Sequence, residues 1–307
     1  MRFFHPIARL SVPFRGGADS DVMVDLLLRC GAKEKTVFVF FNTGLEYRAT
    51  LRHLDDMEQK YGIEIKRIGA IKPIPNCVKE YGVPFISKFA SEMIYRLQKH
   101  DFKWEDRPYE ELITEYPNCK TALEWWRNVI RGNTTQFAIK RNRYLKEYMV
   151  SNPPTFKISD KCCTYAKKKV SERFVKDGGY DLVCIGVRKA EGGIRSASFK
   201  NCFSEGAYVD YFRPVFWTSD EDKDEYCRFY GVTHSDCYTE YGLRRTGCFG
   251  CPFGKHFEEE LTLIQKHEPN LITAANAIFG ESYEYTRGYL RFREEMKQRE
   301  KGSYVPV

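Results

Sequence analysis

The chain has 307 residues, of which 42% are hydrophobic, and it carries a formal net charge of +7. The apolar fraction is enough for a packed core, whereas no apolar run approaches the roughly 18 residues of a membrane span. The first ten residues also lack the apolar stretch of a signal peptide, so we expect a cytoplasmic protein with no membrane partner.

The chain contains eleven cysteines. An odd number in a chain of this length fits a disulfide framework poorly, and clustered cysteines in a reducing compartment more often bind metal or do redox chemistry. The basic excess is compatible with phosphate-bearing partners.

Strand and helix signals alternate in the N-terminal part. Apolar runs predict strands over residues 10–14 and 36–41, and residues 63–68 predict another strand. Helical periodicity follows from about Ser20 to Gly31 and over residues 46–60. This order is typical of a parallel, twisted sheet with helices on both faces, an α/β fold.

The rest of the chain changes in character. Residues 85–150 predict a helical insertion rich in aromatic and basic residues, the sheet resumes at residues 180–187, and the chain after Pro252 predicts helices. We expect an α/β domain over residues 1–255, with this insertion and a metal site, and a helical C-terminal extension over residues 256–307.

A glycine turn joins the first strand to the first helix. Gly16 and Gly17 permit a tight turn, so that backbone amides and the helix N-terminus can hold phosphate. Ser20 can cap the helix or donate to phosphate, and Asp19 can reach a metal or a ribose. The alternative is a purely structural turn. Residues 42–44 follow the next strand at the same edge of the sheet, where ligands bind in open α/β folds.

Two cysteine pairs stand apart from the other thiols. Cys162 and Cys163 are adjacent, and Cys248 and Cys251 form a C-x-x-C. Four thiolates suit zinc or a [4Fe–4S] cluster, and the adjacent pair favours the cluster because zinc sites usually space their cysteines more widely. The alternative is four unrelated packing thiols.

In combination these motifs resemble the phosphoadenosine phosphosulfate (PAPS) reductase family within the PP-loop ATP pyrophosphatases. The family loop S-G-G-x-D-S reads R-G-G-A-D-S at residues 15–20, and its D-T-G reads N-T-G at residues 42–44. The cysteine pattern is similar to that of the cluster-bearing adenylylsulfate reductases and of the ATP pyrophosphatase of DNA phosphorothioation. Residues 185–188, 193–195 and 241–247 resemble the anion-binding stretches of the family.

The resemblance implies that ATP or a related adenine nucleotide, with Mg²⁺, lies over the glycine loop beside a [4Fe–4S] cluster. The nucleotide would contact Arg15, Gly16, Gly17, Ala18, Asp19, Ser20, Asn42, Thr43 and Gly44. Asp19, Arg188, Arg195 and Arg245 would act in catalysis, and Cys162, Cys163, Cys248 and Cys251 would hold the cluster. Arg15 stands where the family has serine, and Asn42 stands where it has aspartate. These two departures put ATP hydrolysis in question more than the fold.

Three functions remain open. The first is an ATP-dependent enzyme, here expected as a homodimer, that adenylylates a nucleic acid and inserts sulfur from a donor such as a cysteine desulfurase. The second is a PAPS or adenylylsulfate reductase, which is disfavoured because residues 252–307 contain no cysteine nucleophile. The third is a non-catalytic subunit that binds nucleotide and cluster.

A nucleic-acid surface is one interpretation of the helical insertion. Basic residues that alternate with aromatic residues can follow a phosphate backbone, and the aromatic rings can stack on nucleobases. A lid with a packed aromatic face is the alternative. The residues concerned are Arg96, Lys99, His100, Lys103, Trp104, Trp125, Trp126 and Arg127.

Overall fold

The structure, a computed structural model, describes residues 9–14, 16–129, 138–192, 197–253 and 256–302. The chain divides into two compact units. The first comprises residues 1–74, 163–249 and 262–269, and the second comprises residues 75–162, 250–261 and 270–307. The sequence-based domain boundaries remain a prediction.

The first unit is built on a six-stranded sheet with the strand order β3-β2-β1-β4-β6-β5. All neighbouring strands are parallel except β5 and β6. The strands are β1 (Leu10–Pro13), β2 (Thr36–Asn42), β3 (Ile65–Gly69), β4 (Leu182–Cys184), β5 (Phe203–Ser204) and β6 (Asp210–Phe212). The α/β fold is therefore confirmed, with one short antiparallel strand that the sequence did not reveal.

The helices fall in the following ranges. They are α1 (Ala18–Arg29), α2 (Arg48–Tyr61), α3 (Ile74–Tyr81), α4 (Lys88–Gln98), α5 (Tyr109–Glu115), α6 (Lys120–Trp126), α7 (Leu145–Ser151), α8 (Lys161–Cys163), α9 (Lys169–Gly178), α10 (Asp220–Tyr230), α11 (Asp236–Thr239), α12 (Phe257–His267) and α13 (Pro269–Gly302). A π-helical turn, Thr164–Lys168, joins α8 to α9.

Alternation along β2 explains why helices cover both faces of the sheet. Phe38 and Phe40 pack in one core with residues of α1, α2 and α10, whereas Val39 and Phe41 pack against α9 on the other face. Successive side chains of a strand point to opposite faces, so a continuous apolar run such as β2 must be buried on both.

The second unit is helical. Its core joins α4, α5, α6 and α7 to the long helix α13 through Tyr289. Within the described part of the chain, no helix is long and apolar enough to cross a bilayer.

This core corrects the interpretation of the insertion as a base-stacking surface. Trp104, Trp125 and Trp126 are at most 8% exposed and pack in the core of the second unit, and the Trp126 indole donates to the Glu105 carbonyl. Buried indoles are not available to bases, so the alternative of a packed aromatic face is the one that the structure supports.

A carboxylate from a distant segment caps α2. The two Glu268 oxygens accept the backbone N–H groups of Arg48 and Ala49 at 2.9 and 3.1 Å, and one of them also accepts the Tyr241 hydroxyl at 3.0 Å. The first amides of a helix have no intrahelical acceptor, and a negative charge there also interacts favourably with the helix dipole. Glu268 therefore fixes the start of α2.

We predict that Glu268→Ala lowers the free energy of unfolding by about 1–3 kcal/mol, because a helix cap is lost and the buried Tyr241 hydroxyl loses its acceptor. Urea denaturation followed by circular dichroism measures the change. Glu64→Ala, at an exposed glutamate, is the control and should lie within about 0.5 kcal/mol of the wild type. Equal effects of the two substitutions would contradict the capping role.

Candidate functional site

The turn between β1 and α1 presents the start of a helix at the carboxyl edge of the sheet. Gly17 is the N-cap residue in an extended conformation, and its carbonyl accepts the amides of Ser20 and Asp21 at 2.7 and 3.1 Å. Gly16 has a φ of +64°, and a Cβ there would lie 2.9 Å from Thr50 Cγ2. Gly16 is thus required by this turn, whereas a Cβ at Gly17, which has a φ of −92°, would meet its neighbours only at ordinary contact distances of 3.5 Å or more. Arg15 lies outside the described residues.

Gly186, just after β4, lies against the first turn of α1. A Cβ on Gly186 would come within 3.1 Å of the Asp19 carbonyl oxygen and of the Ser20 backbone nitrogen. These neighbours are backbone atoms, which have little room to move. The absence of a side chain at residue 186 therefore lets the end of β4 and the first turn of α1 approach closely.

Arg188 links three segments through its guanidinium group. Its Nε donates to Asp19 Oδ1 at 2.6 Å, one terminal nitrogen donates to Asp220 Oδ1 at 2.7 Å, and the other donates to the Thr218 carbonyl at 3.3 Å. Arg188 is only 5% exposed. The hydrogen bond from Arg188 holds the pKa of Asp220 below its usual value. Two of the predicted catalytic residues, Asp19 and Arg188, are thus paired with each other.

The stretch after α11 is attached to the glycine turn by one threonine. Thr246 Oγ1 donates to the Gly16 carbonyl at 3.4 Å and lies 3.0 Å from the Tyr238 hydroxyl, which also accepts the Thr246 amide at 3.1 Å. Burial raises the pKa of Tyr238, so its hydroxyl stays protonated. This contact places the neighbouring Arg244 and Arg245 beside the loop.

A cleft of about 910 Å³ opens over these segments. The following residues line it: Pro13, Gly17, Ala18, Asp19, Ser20, Ser171, Glu172, Val175, Lys176, Val183, Ile185, Gly186, Arg188, Glu191, Gly192, Ala207, Tyr208, Val209, Tyr211, Asp220, Lys223, Tyr238, Leu243, Arg244, Arg245 and Thr246. The cleft combines an apolar floor with converging basic groups, which is typical of a site for a phosphorylated ligand. Arg195 lies outside the described residues.

The segment after β2 has a local structural role. Asn42 Oδ1 accepts the Gly44 amide at 2.8 Å, and Glu46 Oε1 accepts both the Thr43 amide and the Thr43 hydroxyl, at 2.9 and 2.6 Å. An aspartate at residue 42 would accept the same bond, so the loop geometry does not need a carboxylate there. Asn42, Thr43 and Gly44 are not among the described residues that line the cleft.

The four predicted cluster ligands are divided between the two units. Cys163 and Cys248 belong to the first unit, and Cys162 and Cys251 belong to the second. The Cys248 Sγ lies 3.5 Å from Thr43 Oγ1. The four residues are thiols rather than disulfides, and Cys162 and Cys163 directly precede the π-helical turn, a feature frequent at functional sites.

This donor set fits an iron–sulfur cluster in its chemistry, because two closely spaced pairs of thiols are present. Among the residues that the structure describes, no three histidine, cysteine, aspartate or glutamate side chains are grouped as metal ligands. The cluster therefore stays a prediction that rests on the sequence motifs.

Several cleft residues were not predicted from the sequence. Gly186 and Thr246 lie in stretches that resemble anion-binding segments but were not themselves singled out, and a glycine inside a predicted strand was a usable signal for close backbone approach. Asp220 carries no local signal of its contact, because it meets Arg188 only in the folded chain.

We predict that Gly186→Ala weakens adenine-nucleotide binding about tenfold and costs about 1–3 kcal/mol of stability, because the new methyl group pushes the first turn of α1 out of place. Isothermal titration calorimetry and urea denaturation measure the two effects. Gly69→Ala is the matched control, since a Cβ at Gly69 meets nothing within 4 Å. A Gly186→Ala variant that binds nucleotide like the Gly69→Ala variant would contradict the close approach.

Comparison with protein families gives a match over residues 9–87 to the phosphoadenosine phosphosulfate reductase domain. The chain is also 32% identical over 142 residues to the uncharacterized protein MJ0066 of Methanocaldococcus jannaschii. This alignment spans 46% of the chain and only 28% of that relative.

Three solved structures show low similarity. PAPS reductase from Candida auris in its phosphate complex is 12% identical, with a TM-score of 0.45 over 80% of this chain and 83% of that one. The U34-tRNA thiolase NcsA from Methanococcus maripaludis with its [4Fe-4S] cluster is 14% identical, with a TM-score of 0.38 over 94% of this chain and 74% of that one. The NH3-dependent NAD synthetase from Campylobacter jejuni in complex with the nitrate ion is 12% identical, with a TM-score of 0.36 over 93% and 90%.

The family match covers β1, the glycine turn, α1 and the Asn42-Thr43-Gly44 segment, which are the elements that carry the sequence motifs. Residues 9–87 are thus similar to the phosphoadenosine phosphosulfate reductase domain, and this match confirms the resemblance indicated by the sequence.

Proposed function

We propose that the first unit binds ATP or a related adenine nucleotide in its cleft and uses it for adenylyl transfer coupled to sulfur transfer. The observation that carries this proposal is the convergence of the α1 N-terminus with Arg188, Arg244 and Arg245 on one cleft. Helix N-termini attract phosphate, and guanidinium groups bind its oxygens with two parallel hydrogen bonds. The match of residues 9–87 to a nucleotide-binding family supports the same site.

The Asp19–Arg188 pair explains how the site holds a cation without leaving it unpaired. The Asp19 side chain is 18% exposed and that of Arg188 is 6% exposed, so this ion pair is largely removed from water. A phosphate that enters the cleft offers Arg188 an anion in addition to the carboxylates of Asp19 and Asp220. Asp19 is then free to accept a hydrogen bond from the ligand or to bind Mg²⁺.

The proposed reaction has two displacements. An acceptor oxygen attacks the α-phosphorus of ATP, the bond to pyrophosphate breaks, and the acceptor carries an adenylyl group. A sulfur nucleophile from a donor then replaces that oxygen, and AMP leaves. Such transfers depend on positioned cations more than on covalent help from the protein, and Arg188 and the amides of residues 17–20 supply fixed positive charge.

The cluster belongs to the same proposal. Cys162, Cys163, Cys248 and Cys251 would hold a [4Fe–4S] cluster, which supplies a redox-active centre when bound. The Thr43 hydroxyl lies 3.5 Å from the Cys248 sulfur but donates its proton to Glu46, so it would have to turn from Glu46 to donate to a cluster ligand. Outer hydrogen bonds of that kind orient ligands and adjust the cluster potential.

The acceptor and the sulfur donor remain expectations. A nucleic-acid acceptor and a cysteine desulfurase are kept as proposals, although the buried tryptophans of the second unit do not supply the stacking surface that was one interpretation of the insertion. The competing function is a sulfonucleotide reductase, and the match of residues 9–87 to the phosphoadenosine phosphosulfate reductase domain favours it. Sulfite release from PAPS or adenylylsulfate with thioredoxin would identify that function.

We predict that Arg188→Gln weakens ATP binding about tenfold or more, because a charge-assisted contact to phosphate is lost and Asp19 is left unpaired. Asp220→Asn should act in the opposite direction and strengthen binding about two- to fivefold, since a carboxylate that competes for Arg188 is neutralised. Titration calorimetry with ATP measures both affinities.

Asp55→Asn is the control for these two variants, because it removes an exposed partner of Arg67 in another ion pair. It should leave the ATP affinity within about twofold, as exposed ion pairs contribute little. If Arg188→Gln binds ATP like the Asp55→Asn control, phosphate is not bound at Arg188.

We predict that the anaerobically purified protein is brown and contains about four irons and four sulfides per chain. Cys248→Ser and Cys251→Ser should each lower the iron content at least twofold, whereas Cys30→Ser, at an exposed thiol, should keep it. Iron and sulfide assays with visible absorbance measure the change. A colourless protein with one tightly bound zinc would rule out the cluster.

A further inference from the structure

A cysteine, a histidine and an aspartate form a hydrogen-bonded chain next to α1. The Cys227 Sγ lies 3.5 Å from His234 Nε2, and His234 Nδ1 lies 2.7 Å from Asp21 Oδ2. The other Asp21 oxygen meets His53 Nε2 at 2.9 Å. All four residues belong to the first unit, and none of them is among the described residues that line the cleft.

The Asp21 carboxylate fixes which group donates and which accepts in each hydrogen bond of this chain. Asp21, as a carboxylate, can only accept, so the His234 Nδ1–H donates to it. In the neutral imidazole the lone pair is then on Nε2, which accepts the Cys227 S–H. A nucleophile next to a base, with the base oriented by a third group, is the arrangement that activates thiols.

Burial is complete at the acid end of this chain and partial at the thiol end. The Asp21 side chain is fully buried, that of His234 is 19% exposed, and Cys227 is half-buried. His234 uses both ring nitrogens, one toward Asp21 and one toward Cys227, which packs half-buried at the edge of the core of the first unit.

The charges around Cys227 decide how it can react. Burial raises its pKa, and Asp21 and Asp25 from α1 with Asp224 from its own helix act in the same direction, whereas Lys223 lowers it. The resting thiol is therefore protonated. His234 must act as a general base that removes the proton during attack, instead of stabilising a preformed thiolate.

The backbone around Cys227 limits the type of substrate. Acyl transfer needs N–H groups aimed at an oxyanion, but Cys227 lies inside α10, whose interior amides are bound within the helix. Exchange with a sulfur–sulfur bond needs no such donors, since it requires only a nucleophilic thiol and access to it.

We propose that Cys227 is a reactive thiol, activated by His234 and Asp21, that exchanges with disulfide or persulfide sulfur. Cys227 Sγ attacks one sulfur of the substrate, a new sulfur–sulfur bond forms, and the old one breaks. The leaving sulfur takes the electron pair and then the proton that His234 removed. The step needs no other oxidant or reductant, and it does not depend on the nucleotide or the cluster.

The test uses the full chain with two probes, 2,2′-dipyridyl disulfide and glutathione persulfide. Residue-resolved mass spectrometry follows the adduct on Cys227, on the exposed Cys30 and on the half-buried Cys202. In the folded protein Cys227 should react with at least one probe about tenfold faster than both other thiols. In urea the three rates should become similar, because the activation depends on the folded geometry.

A histidine variant separates general-base catalysis from simple access. His234→Gln should slow Cys227 about tenfold or more and leave Cys30 unchanged, whereas His256→Gln, at an exposed histidine, should alter neither. Reaction with both probes supports general sulfur exchange, and reaction with the persulfide alone supports a sulfane-sulfur site. A folded wild-type protein in which Cys227 reacts no faster than Cys202 and Cys30 would overturn the proposal, even if His234→Gln fails to fold.

Discussion

The buried ion pair between Arg188 and Asp19 is the interaction on which the site depends. It joins the end of β4 to the first turn of α1, and through Asp220 it also holds the start of α10. A buried guanidinium is stable only when anions surround it, since leaving one charge unpaired is costly. The same requirement gives the cleft a phosphate-binding cation that is already positioned, provided that an incoming phosphate can replace a carboxylate.

Two close contacts support this ion pair. Gly186 brings the strand end against the Asp19 and Ser20 backbone, and Thr246 attaches the segment with Arg244 and Arg245 to the Gly16 carbonyl. Each contact involves backbone atoms at the carboxyl edge of a parallel sheet, where α/β folds bind ligands. The positions of the arginines are thus a consequence of how the sheet and the glycine turn pack.

The sequence predicted the sheet well because β1 and β2 are marked by local apolar runs, and it predicted the glycine turn because the residues of the turn are contiguous. Local pattern did not reveal β5 and β6, which are two and three residues long. Arg188 and Asp19 are 169 residues apart, so their pairing has no local signal. The role of the tryptophans could not be decided from the sequence, because a helix rich in aromatic and basic residues has the same pattern whether its rings pack in a core or bind a ligand.

The same helix that presents the glycine turn also carries Asp21, which faces away from the cleft toward His53 and His234. Helix α1 therefore contributes to both proposed sites, through its N-terminus at the cleft and through the contact of Asp21 with His234. The account is tested most directly by a crystal structure of the protein with a non-hydrolysable ATP analogue. We expect the phosphates at the amides of residues 17–20, with Arg188 turned from Asp19 toward them. An analogue bound elsewhere, with the Arg188–Asp19 pair intact, would contradict the central claim.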